Sequence, residues 1–115
     1  MIHDGTYHQN TLKHEESHGY YVATATNPLV IPQTLARKLD IGDAVRMWQA
    51  YYCSVVHKNS NLLIGIWTHN KQVYIEPAIW TPYAFIARSL ARRYKQQFIW
   101  SCKLQSALPA TTTDQ

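Results

Sequence analysis

The chain has 115 residues, 46% of them apolar, and a formal net charge of +4. That length supports one domain with its own hydrophobic core and needs no metal or disulfide to stabilise it. No stretch of 18 consecutive apolar residues occurs, and the opening MIHDGTYHQN lacks an apolar leader-like region, so the expectation is a cytoplasmic protein with no membrane partner.

The charge is unevenly placed. Residues 1–57 carry four Lys/Arg against five Asp/Glu, net −1, whereas residues 58–115 carry seven against two, net +5. A basic C-terminal half suits an acidic partner, with nucleic acid first and another protein second. Four Trp and eight Tyr add large amphipathic rings of the kind that line binding surfaces, which makes a homo-oligomer a further expectation.

Residues 1–19 read as a polar, His-rich N-terminal arm punctuated by Gly5 and Gly19. From Tyr20 the run YYVATAT is β-branched and aromatic and predicts a strand ending at Asn27-Pro28. Leu29-Val30-Ile31 is a short apolar run; Pro32 then opens a short helix near 33–40, with Leu35 and Leu39 four apart and Gly42 as its stop. Residues 44–56, AVRMWQAYYCSVV, are rich in ring and β-branched side chains and predict a long strand. A turn at 58–61, a strand over 62–67, a turn at 68–71 and a strand over 72–76 complete a meander. Cys53 and Cys102 have no CxxC spacing and read as two reduced, buried thiols.

The clearest helix spans 82–96, with Thr81 as N-cap and Pro82 at the first helical position. At 100° per residue, Tyr83, Ile86, Ala87, Leu90 and Tyr94 share one face, and Arg88, Arg92 and Lys95 lie opposite. From Phe98 to Leu104 the period changes to two, placing Phe98, Trp100, Cys102 and Leu104 on the buried side of a strand. Residues 105–115 are expected to be a disordered tail. The fold class is therefore α+β: a single domain over 20–104 with a mostly antiparallel sheet of four to five strands. The 82–96 helix is expected on one face of it, packed through Ile86 and Leu90.

Two motifs carry chemistry. His14-Glu15-Glu16-Ser17-His18 matches HExxH, and on a helix the i, i+4 spacing puts two imidazoles on one face. It resembles the zincin metalloproteases, which implies zinc held by His14 and His18 with Glu15 as general base. Gly19 and a β-like YYV follow at once, and the alternative is a solvated arm whose His3, His8, His14 and His18 gather a transition metal without catalysis. The segment VIPQTLARKLDIGDAV is similar to the opening of the AbrB/MazE family through Val30-Ile31-Pro32, Leu35, Leu39, Ile41, Gly42-Asp43 and Val45. That resemblance implies a swapped-hairpin DNA-binding protein.

The remaining candidate surface is the basic helix. Arg88, Arg92 and Lys95, with Arg93 at the flank and Lys103 on the following strand, are placed to contact phosphates while nearby rings such as Phe85, Tyr83 or Trp80 stack on bases. With four Gly in the chain there is no phosphate loop or dinucleotide fingerprint. The expectation is a small non-catalytic binding module without a cofactor. A zinc hydrolase and an AbrB-like DNA binder stand as alternatives.

Overall fold

The computed structural model describes residues 1–56 and 61–111. In chain order the elements are β1 (Gly5–Tyr7), β2 (Tyr20–Ala23), β3 (Leu29–Pro32), α1 (Gln33–Ala36), α2 (Ile41–Tyr51), α3 (Cys53–Val56), β4 (Leu63–His69), β5 (Gln72–Thr81), α4 (Ala84–Arg93), β6 (Phe98–Ser101) and β7 (Ser106–Pro109). The class is α+β and the strand pairing is antiparallel, with seven strands among the described residues in place of the four to five expected. Three of these strands lie where none is expected from the sequence: β1 in the His-rich arm, β3 over the short apolar run at Leu29 and β7 in the expected tail. Among the described residues no helix is long and apolar enough to cross a membrane.

The chain forms two compact units, Met1–His14 with Asn27–Pro77 and Glu15–Thr26 with Ala78–Gln115. In the first unit β1 pairs with β4, placing Tyr7 opposite Ile64, and β3 pairs with the start of β5, placing Ile31 opposite Val73. Asn70 and Lys71 join β4 to β5, both with positive φ (51° and 62°), the geometry a two-residue hairpin loop needs to match strand twist. Trp48, Ile64 and Ile75 are fully buried in this unit.

The long strand expected over 44–56 is not formed; those residues lie in α2 and α3. Asp40 caps α2 by accepting from the Asp43 backbone N–H at 2.9 Å, while the Asp43 carboxylate accepts from the Asp40 N–H at 3.0 Å. This reciprocal pair satisfies two otherwise orphaned donors at the helix start. Ala44, Val45, Trp48 and Tyr52 are then buried at helical spacing, so burial outweighs the weak strand preference of the rings and β-branched residues. Gly42 sits inside the first turn instead of stopping a helix, and α2 takes up the end of the segment similar to AbrB/MazE, from Ile41 through Val45. Residues 58–60 of the expected 58–61 turn lie outside the described residues.

In the second unit the end of β5 pairs with β2, β2 with β6, and β6 with β7. Helix α4 covers one side of these strands. Val22, Ala87, Ala91, Ile99 and Ala110 form the core, flanked by Tyr20, Leu90 and Leu108. The centre of the buried helix face is thus Ala87/Ala91 and not Ile86/Leu90. Two small side chains let the helix approach the strands closely, and Ile86 and Leu90 remain half-buried on the shoulders.

Candidate functional site

Helix α4 starts one residue after Tyr83, which occupies the cap position without a side-chain cap. The Thr81 hydroxyl instead accepts from the Tyr83 N–H at 3.3 Å, so Thr81 braces the turn leading into α4, and the cap lies two residues later than expected. At the other end Gln96 N–H donates to Ala91 O at 2.7 Å and Lys95 N–H to Arg92 O at 3.3 Å. These are the paired bonds of a Schellman ending, with Lys95 at φ 58° in the position that usually takes glycine. The Gln96 amide then donates to Ala25 O at 2.7 Å, which pins the helix end to the chain after β2.

The structure redistributes the expected binding residues. Arg92, Arg93 and Lys95 are solvent-exposed. Arg88 is half-buried beside the core, and its Nε is buried without a hydrogen-bond partner among the described residues. It therefore does not belong to the outer cationic stripe. Tyr83, projected into the core by helical spacing, is exposed and lies 5.7 Å from the Phe85 ring, centroid to centroid, because it precedes the helix. Phe85 itself is 71% exposed. Phe85, Ser89 and Arg92 follow one another at helical spacing on the outer face.

Trp80 does not join this surface. Strand pairing sets Tyr21 opposite both Trp80 and Trp100, and pleating sends these three rings to the side of the strands away from Val22 and α4. The Trp80 indole N–H donates to His18 O at 3.0 Å, and the His18 ring meets it edge-on at 5.2 Å. Burial pushes the Tyr21 hydroxyl well above its ordinary pKa, helped by Cys102, Glu16 and Glu15 nearby. That ring row is therefore bordered by carboxylates. Lys103 lies past β6, exposed, beside a cleft of about 410 Å³ that Tyr20, Ser101, Pro82 and Leu108 also line.

The strand at 98–101 keeps its period of two with the opposite phase to that expected. Ile99 and Ser101 are buried, whereas Phe98 and Trp100 are 57% and 40% exposed. Ring size points to Phe98 and Trp100 as the core side, but α4 covers the Ile99 side. Cys102 is buried and Cys53 exposed, both as free thiols, which corrects the expectation of two buried ones.

The HExxH stretch is not helical. Residues 14–16 are irregular and 17–19 form a bend, so the spacing that would align two imidazoles is not realised. His14 belongs to the first unit and His18, with Glu15, to the second. His18 Nδ1 lies 3.9 Å from a Glu16 carboxylate oxygen, and among the described residues no group of three His, Cys, Asp or Glu side chains comes together.

No protein-family model, curated protein or solved structure matches this chain.

Proposed function

We propose that this chain is a non-catalytic binding module that engages single-stranded nucleic acid through the outer face of α4. The observation that carries the reading is a mixed surface. Phe85 is largely exposed, Arg92 lies two helical turns further on, roughly 10 Å along the axis, and Arg93 and Lys95 are exposed beyond it. From Ala78 to Thr111 the sequence has five cations and no acidic residue, so nothing within that segment neutralises them.

An exposed phenyl beside cations suits a base stacked on the ring with its phosphates drawn to the guanidinium groups. Every base has a π-face, so this mode tolerates sequence variation. The two free thiols agree with a reducing compartment, and a cytosolic setting is part of the proposal. The homo-oligomer remains a proposal as well, supported by the exposed rings Phe98 and Trp100.

The test is fluorescence anisotropy with labelled single-stranded DNA and RNA at two salt concentrations. Affinity should fall with salt at a logarithmic slope of roughly −0.7 for each phosphate contacted, and Arg92→Ala should flatten the slope by about one contact. Phe85→Ala should cost about 1–3 kcal/mol of binding while leaving the salt slope unchanged. No binding at low salt, or binding indifferent to both substitutions, sinks the reading. Capture of an acidic protein with the same Arg92 dependence would replace nucleic acid as the ligand.

A further inference from the structure

The first unit holds a second feature, independent of α4. After β1 the chain turns back on itself: His8 N–H donates to Leu12 O at 2.7 Å, His14 N–H to Thr6 O at 2.8 Å, and Tyr7 bridges Lys13. Residues 6–14 are therefore a small antiparallel hairpin extending β1. Its loop is tightened by Thr11 at φ 74° and by the Asn10 side chain, which accepts from Leu12 N–H at 3.1 Å. The Gln9 amide donates to Leu62 O at 3.2 Å and fastens the hairpin to the chain before β4.

In this register Thr6 faces His14 and His8 faces Leu12, so His8 and His14 are diagonal neighbours on one face. Their ring centroids are 5.0 Å apart at an interplanar angle of 62°. Two imidazoles bound to one tetrahedral ion have centroids about 5 Å apart, because each nitrogen lies about 2.0–2.1 Å from the metal with the ring centre just over 1 Å behind it. The observed separation falls at that distance, which is also within the range of ordinary ring pairs, and the hairpin holds it with backbone hydrogen bonds.

We propose that His8 and His14 form a two-histidine chelate for a divalent transition-metal ion of the zinc or copper type. The pair differs from the one HExxH suggested: His14 is paired across a hairpin and not along a helix. No third His, Cys, Asp or Glu joins a cluster among the described residues, so water completes the coordination sphere. The ion is exchangeable and tightens the hairpin, since binding to the folded form alone stabilises that form.

The experiment uses untagged full-length protein with zinc(II) chloride in calorimetry and copper(II) chloride in NMR. One equivalent of zinc should bind, and His8→Ala and His14→Ala should each weaken binding by about tenfold or more, as loss of one of two ligands demands. His8→Cys, which restores a ligand at the same place, should recover binding. Substoichiometric copper should broaden the ring signals of His8 and His14 before those of His18 and His69, a readout that needs no variant to fold. Absence of zinc binding, wild-type affinity in both alanine variants, or broadening that begins at His18 or His69 would overturn the proposal. The nucleic-acid reading rests on α4 alone, so either can fail without the other.

Discussion

The Trp67 indole N–H donates to a Glu76 carboxylate oxygen at 3.0 Å, and Glu76 as a residue is buried, 8% exposed. Trp67 in turn stacks on Tyr74 at 4.4 Å and 13°, so a ring pair covers the acid. Burial raises the Glu76 pKa above its ordinary value, and the indole bond offsets this only in part. A raised carboxyl pKa means that the folded state prefers the protonated acid. The associated stability is full below the unfolded pKa of about 4.3 and is lost as pH rises through the elevated folded value. Glu76→Gln keeps an acceptor for Trp67 and removes the charge. It should stabilise the protein by on the order of 1 kcal/mol at neutral pH and leave acid-side stability unchanged, as measured by urea denaturation across pH.

Tyr52 is a hub of backbone bonds. Its hydroxyl accepts from Leu29 N–H at 2.9 Å and lies 2.9 Å from Asn27 O and 3.3 Å from Ile75 O. Burial pushes its pKa up to about 12, so the O–H, a donor at neutral pH in any case, stays protonated further into alkaline pH. Tyr52→Phe should strand the Leu29 N–H and a carbonyl, costing about 1–3 kcal/mol. Equilibrium unfolding would read this as a lower midpoint with an unchanged slope.

Gly19 is a second sensitive point. At φ 81° it adopts a conformation L side chains avoid, and an added Cβ would stand 2.7 Å from the Trp80 indole nitrogen and 2.8 Å from Thr81 O. The carbonyl is backbone and cannot rotate away. Gly19→Ala should therefore destabilise by about 2 kcal/mol or more, combining the φ penalty with overpacking. A drop in melting temperature, with loss of the Trp80 near-ultraviolet signal, would show it.

Lys95 presents the reverse case. Its φ of 58° places a lysine where the Schellman ending favours glycine. Lys95→Gly should raise stability by about 0.5–1 kcal/mol through relief of the left-handed conformation. In the anisotropy assay the same variant should bind nucleic acid more weakly. Stability and binding moving in opposite directions would separate the backbone role of this position from its charge.

Much of the second unit was legible. The 3.6-residue period around Ala87 and Leu90 and the two-residue period after Phe98 are local properties, and they produced α4 and β6 close to the expected places. The phase of β6 was not legible: Phe98 and Ile99 are both apolar, and only the position of α4 makes Ile99 the buried one. The error at 44–56 has a different cause. Trp48 and Tyr52 suggested a strand by type, whereas the signal for a helix lay upstream, in two aspartates three apart that cap it. The hairpin of residues 6–14 gave no apolar alternation to read, because backbone bonds and not side-chain burial hold it.

By itself the sequence determined the α+β class, the basic C-terminal half and the helical period of α4, because composition and periodicity are properties of neighbours along the chain. Tertiary structure decided which cations face solvent, separating Arg92, Arg93 and Lys95 from the half-buried Arg88. It also decided that His14 meets His8 and that Trp80 turns away from α4. These outcomes depend on strand register and on which side of a strand a helix covers. Both are set by contacts between segments distant in sequence, and a one-residue change in register moves every side chain to the other face.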